Sequence, residues 1–299
     1  MNKALLKFAT IILLLFSLPA KAEMEFDEFN GAIYVNKTTV AELEELFAKN
    51  HYKRFRGLEN DSYPAIFLKS FPTDFMEITS QKYRNELFIR ILAPLAIKLN
   101  QEFSNEQSTL QRYQRKLNNN QELSEKEIAN LNKLAIKYDY FIRAEGKQKI
   151  QSQLNNLLLR VNIIPPSIFV AYAAMETNWG FSRLVAKANS LYKEKVWYTN
   201  EGLEPLENKD DGYRFKIFNS LMDSMRSFAI TFNSDLRFRN VWGARAQAIL
   251  RQENVIGESM AYSLSNASNL PNFVGILDYT TAFYDLIALD NGHLKNAKR

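Results

Sequence analysis

Cysteine is absent from all 299 residues. That excludes disulfides, thiolate metal sites and a lipid-bearing cysteine near the N-terminus. Histidine occurs only at His51 and His293, far apart in sequence, so no metal and no cofactor is implied. Glycine and proline are sparse, at 10 and 8 residues. So few breakers favour helices over a many-turned β architecture. Past residue 22 no apolar run reaches the roughly 18 residues of a membrane span, so no stable insertion of the mature chain is expected. A large excess of one charge is also lacking. Removing residues 1–22 takes away Lys3, Lys7 and Lys21 and no acid, which leaves 35 basic against 33 acidic residues. A balance that close does not point to nucleic acid.

What is present begins with a leader. Lys3 and Lys7 precede the apolar run from Phe8 to Leu15, and Ala20-Lys21-Ala22 is a small-x-small cleavage site. Residues 1–22 therefore read as a secretory signal peptide cut after Ala22, with a periplasmic destination. Residues 23–38 read as irregular. Thr39-x-x-Glu42 is a capping box that opens a helix. A long helix is expected from residue 80 towards 117, with Leu87, Ile91, Leu95, Leu99 and Phe103 on one face and Pro94 kinking or splitting it. Asn118-Asn119-Asn120 is a turn. Ser124-x-x-Glu127 is a second capping box, and the two helices form a hairpin. Residues 23–145 thus make a helical N-terminal region. Residues 146–291 make a second unit, and 292–299 a polar tail in which His293 is expected to be unstructured.

The second unit centres on Pro165-Pro166-Ser167-Ile168-Phe169-Val170-Ala171-Tyr172-Ala173-Ala174-Met175-Glu176-Thr177-Asn178-Trp179-Gly180. Paired prolines suit a helix entry. Ile168, Tyr172, Met175 and Trp179 form an apolar stripe, and Gly180 suits a C-terminal stop. Glu176 is the one ionisable side chain between the prolines and Gly180. A carboxyl in such surroundings is partly desolvated. Desolvation disfavours the charged form, as a general acid working at neutral pH requires. The competing reading is a solvated glutamate on an exposed helix face, but this helix has little polar face to offer.

Pro-Pro-Ser followed by Ala-x-Ala-Ala-x-Glu-x-x-Trp-Gly-x-Ser-Arg resembles the signature of the glucosaminidase domains that cut bacterial peptidoglycan. The likeness continues through Phe181-Ser182-Arg183-Leu184 and Ala188-Asn189-Ser190-Leu191-Tyr192. Within that family the chain is most similar to the Bax-like proteins of Gram-negative bacteria. The resemblance implies a predominantly α (α+β) chain: a lysozyme-like glucosaminidase domain with a small antiparallel β lobe and a helical N-terminal extension. It also implies that Glu176 is the catalytic acid. Three positions depart from the family pattern. Lys193 stands where the family often has glycine, Thr177-Asn178 separates Glu176 from Trp179, and Phe273 or Tyr279 lies where a cleft tyrosine is usual.

The β lobe is expected from Val196-Trp197-Tyr198-Thr199 and from the alternation of Tyr213, Phe215 and Ile217. Ser220-x-x-Asp223 opens a further helix, another is expected over 238–250, and the last over 279–289. A glycosidic bond needs a proton on its leaving oxygen and a group that stabilises or captures the sugar carbon. Glu201 and Glu204 are the nearest second carboxylates, with Glu194 and Glu207 behind them. A 2-acetamido group of the sugar could also serve. Sugar faces stack on aromatic rings, which makes Tyr172, Trp179, Tyr192, Trp197, Tyr198, Tyr213 and Phe273 the candidate glycan-binding residues. Trp197 and Tyr198 occupy successive strand positions, so at most one faces the cleft. The expected activity is hydrolysis of the β-1,4 bond after N-acetylglucosamine in peptidoglycan, with glycan strands as the partner. The rivals are a binding or scaffolding protein that lacks turnover, and a muramidase or lytic transglycosylase that uses the same glutamate.

Overall fold

The computed structural model describes residues 24–140, 146–207, 211–251 and 272–299, with positions 253, 257, 260 and 262–264 between the last two segments. The leader expected at residues 1–22 lies outside the described residues.

The N-terminal stretch is not irregular. β1 (Glu25–Phe29) and β2 (Ala32–Lys37) form an antiparallel hairpin. Asn30 and Gly31 make its turn, at φ +51° and +74°, which is the backbone a two-residue hairpin demands. Alternation buries Ile33 and Val35 and turns Tyr34 outward. α1 (Val40–Lys49) starts at the expected capping box of Thr39 and Glu42. β3 (Ser62–Pro64) follows, and β4 (Ile66–Leu68) adds to β2 in parallel.

α2 (Gln81–Asn118) is the axis of the molecule. Leu87, Ile91, Leu95, Leu99 and Phe103 are all fully buried, as the spacing predicts. Pro94 does not split it. Proline removes the amide that would bond the carbonyl four residues back, and here that carbonyl belongs to Arg90. The buried Tyr52 hydroxyl donates to it at 3.2 Å. The Arg90 guanidinium in turn pairs with Glu44 of α1 and donates to the Tyr52 carbonyl. The orphan left by proline is therefore filled from outside the helix, which runs on unbroken.

α3 (Glu125–Lys137) begins at the second expected capping box, Ser124 with Glu127. α4 (Lys147–Arg160) buries Leu154 and Leu157. α5 (Pro166–Thr177) and α6 (Arg183–Ala188) come next. β5 (Lys195–Trp197) and β6 (Tyr213–Phe215) pair antiparallel to make the small lobe, with Leu203 bridging to Phe215. α7 (Leu221–Ser234) and α8 (Arg239–Leu250) follow. Arg245 of α8 is fully buried and donates to the carbonyls of Arg160 and Ile163 and to the side chain of Asn233. It thereby caps α4 and fixes the link that leads into α5. α9 (Phe273–Phe283) starts before the expected residue 279. It stops at Tyr284, because Asp285 turns left-handed at φ +54°.

The polar tail is ordered, contrary to expectation. β7 (His293–Lys295) pairs in parallel with β3, and the His293 ring meets the Ser62 hydroxyl at 2.8 Å. The Asn50 side chain holds both the amide and the carbonyl of Lys298. The C-terminal segment thus packs against the N-terminal strands, and the Ala297 amide donates to the Gly31 carbonyl in the β1–β2 turn. No helix among the described residues is long and apolar enough to cross a membrane.

Candidate active site

α5 is apolar all round and buried along most of its length, including the polar Ser167 at its start. Burying a helix start leaves its first amides needing acceptors. Asp290 provides them: its carboxylate accepts from the Ser167 amide, the Ser167 hydroxyl and the Gly257 amide, each at 2.8 Å. Burial pushes the Asp290 carboxyl up to about 6, even though those three donors oppose the shift. At the other end, Asn178, Trp179 and Gly180 are all left-handed, at φ +50°, +58° and +77°. Three such residues in succession turn the chain sharply away from the helix one residue after Thr177. A Cβ on Gly180 would stand 3.0 Å from both the Phe75 and the Phe88 ring, so glycine is needed here for conformation and for space.

Glu176 occupies the last turn of α5. Its side chain is 12% exposed, and its Oε2 lies 3.2 Å from the Lys193 ammonium. Tyr172, one turn earlier on the same face, helps line a cavity of about 550 Å³. Tyr192, Lys193, Glu194, Lys195, Trp197, Phe228 and Arg237 also line it. Its aromatic wall is tightly built. Tyr192 stacks on Phe228 at 4.0 Å and 11°, and its hydroxyl donates to the Phe169 carbonyl. Phe273 is buried against Tyr172 at 5.1 Å. Trp197 and Tyr213 meet at 5.5 Å, and Lys195 stands 3.7 Å over the Tyr213 ring.

The seven aromatic candidates do not all gather in one place. Tyr172, Tyr192 and Trp197 line the cavity. Trp179 is wedged between Tyr284 at 4.2 Å and Phe88 at 5.8 Å, beside the acid. Tyr198 is left-handed at φ +55° and 93% exposed. It lies on a separate depression together with Tyr213 and Glu204. The left-handed turn at Tyr198 is what separates Trp197 from its neighbour.

The carboxylates divide in the same way. Glu201 and Glu204 are exposed at the tip of the lobe, where the Glu204 carbonyl accepts from Arg183. Glu194 lies inside. The Ser227 hydroxyl donates to its Oε2 at 2.7 Å and Lys216 stands at 3.9 Å. Its Oε1 is buried with no hydrogen-bond partner among the described residues. Burial holds this carboxyl above the ordinary carboxylate range, against the pull of Ser227 and Lys216. Sequence order alone ranked Glu194 behind Glu201 and Glu204. The available signal was its place between the strand-forming Val196 and the buried Tyr192. Among the described residues no cluster of three metal-ligating side chains occurs.

Comparison with known proteins gives the following similarities. The Glucosaminidase family, described as mannosyl-glycoprotein endo-beta-N-acetylglucosaminidase, matches residues 151–272. That span holds Glu176, Lys193, Glu194 and both strands of the lobe. Protein Bax of Escherichia coli (strain K12) is 26% identical over 197 residues, 65% of this chain and 67% of its own length. The catalytic domain of the autolysin Auto from Listeria monocytogenes has 16% identity and a TM-score of 0.30, over 62% of this chain and 86% of that one. The architecture is predominantly helical with a small two-stranded lobe, the α (α+β) class expected from the sequence. Residues 151–272 thus match the glucosaminidase family, and the chain is similar to protein Bax.

Proposed function

We propose that the protein is a periplasmic peptidoglycan hydrolase that cuts the β-1,4 bond after N-acetylglucosamine, with Glu176 as general acid. One observation carries the reading. The single carboxyl of a buried helix lies within the family-matched span, beside an aromatic-walled cavity of about 550 Å³. That volume suits a saccharide-sized ligand. Glu176 delivers a proton to the leaving oxygen. Glu194 is the lobe carboxyl whose surroundings best suit a second role: it is half-buried, it lines the cavity and its buried Oε1 has no hydrogen-bond partner among the described residues. The 2-acetamido group of the substrate is the alternative for that role.

Product analysis tests the bond assignment. Fragments that end in reducing N-acetylglucosamine are expected. Reducing N-acetylmuramic acid or an anhydro-sugar would make the protein a muramidase or a lytic transglycosylase. The Lys193 ammonium on Glu176 favours a second reading, a glycan-binding protein without turnover. Binding to the polymer with no fragments released would establish it.

A further inference from the structure

Lys193 is an unusual residue for its place. Its backbone is left-handed at φ +50°, a conformation that costs a side-chain-bearing residue about 1 kcal/mol and glycine almost nothing. The flanking residues Tyr192 and Glu194 turn inward, and the left-handed step sends Lys193 across to α5. Its Nζ then lies 3.2 Å from Glu176, with the lysine side chain 44% exposed and the glutamate 12%. The ammonium thus occupies Oε2 of the carboxyl that the proposed function makes the proton donor. A general acid cannot work until that contact is broken.

The surrounding charges indicate what breaks it. Lys193, Lys195, Arg237 and Glu194 are the charged groups on the cavity wall. Arg237 is held by Asp235 at 2.7 Å, and Glu194 is engaged by Ser227 and Lys216. Lys195 has no carboxylate partner among the described residues and stands over the Tyr213 ring, so once Lys193 leaves Glu176 two ammonium groups at the cavity wall can meet an anion. Under the proposed function the acid protonates O4 of an N-acetylmuramic acid unit. The carboxylate of that sugar's lactyl group hangs from O3, on the adjacent carbon. A lysine in contact with the acid is then within reach of that carboxylate, and its long flexible stem allows it to move there.

We propose that Lys193 is a specificity-determining residue: it releases Glu176 by transferring its ion pair to a free carboxylate on the O3 substituent of the leaving sugar. This rests on the hydrolase reading. A free lactyl carboxylate exists only where the stem peptide has been removed. The preferred substrate is therefore a peptide-free strand, and the reaction class that must supply it is amide hydrolysis at the lactyl group.

The test uses peptide-free glycan strands, and the same strands with their lactyl carboxylates converted to methylamides. Cleavage and binding of both are measured with the wild type, K193M and K193G. Glycine suits the left-handed backbone, so K193G separates loss of the ammonium from any misfolding. The wild type should cleave and bind the charged strands about tenfold better, the equivalent of about 1.4 kcal/mol. Both variants should lose that preference while giving the same product ends. Equal handling of the two strands by the wild type, or a preference retained in K193M and K193G, would overturn the proposal. If no strand is cut, the hydrolase reading fails by itself, and the binding comparison still decides the role of Lys193.

Discussion

Replacing Tyr52 by phenylalanine should destabilise the protein through a helix that Tyr52 does not belong to. Pro94 leaves the Arg90 carbonyl of α2 without its helical donor, and the Tyr52 hydroxyl fills that gap at 3.2 Å in a fully buried setting. In Y52F the carbonyl stays buried and unpaired. Such a group costs about 1–3 kcal/mol. For a chain of this size each kilocalorie moves Tm by about 2–4 °C, so a fall of about 2–12 °C is expected by thermal melting. The sharper test is a cycle with P94A. An alanine at this position restores an amide that can donate to the Arg90 carbonyl, which makes the Tyr52 hydroxyl largely redundant. Y52F should therefore cost at least about 1 kcal/mol less in the P94A background than alone, well outside the additivity error of distant sites. Equal costs in both backgrounds would refute the account of how α2 stays unbroken.

Three further outcomes are expected. G180A should lose about 2–4 kcal/mol in denaturant melts and most activity, because a methyl at φ +77° meets the Phe75 and Phe88 rings just beyond the acid-bearing helix; wild-type stability would contradict that. Asp290, raised by burial to about 6 from an ordinary 3.8, binds its proton more tightly folded than unfolded. Its contribution is therefore most favourable below about pH 4 and is lost as pH rises towards 6, by about 3 kcal/mol. The difference in stability between wild type and D290N, followed across that window, should show this slope, and a flat difference would count against it. E194Q should cut turnover at least tenfold with little change in Tm, whereas E201Q and E204Q should remain close to wild type. Loss of activity in E204Q instead would return the second role to the lobe tip.

Much of the site could be read locally because its causes are local. The paired prolines, the apolar stripe and the lone Glu176 describe α5 almost residue by residue. Both capping boxes mark real helix starts at Thr39 and Ser124, since caps act within one turn. The β1–β2 hairpin carried a signal in Asn30-Gly31, but β1 is mostly exposed and charged, so its alternation is faint. β7 carried none. His293-Leu294-Lys295 becomes a strand only because β3, more than two hundred residues earlier, offers it an edge. Lys193 and Glu194 failed to stand out for a similar reason. Their positions depend on a left-handed turn that directs Lys193 to Glu176 and Glu194 to Ser227. Spacing along the chain does not encode that reversal, and a lysine where glycine is usual reads only as a departure.

The central claim is that Glu176 supplies the proton for glycosidic cleavage. Digestion of purified peptidoglycan by the wild type and by E176Q, with the released fragments weighed by mass spectrometry, tests it most directly. The account predicts fragments ending in N-acetylglucosamine from the wild type and none from E176Q, with both proteins still bound to the polymer. Undiminished release by E176Q would contradict it.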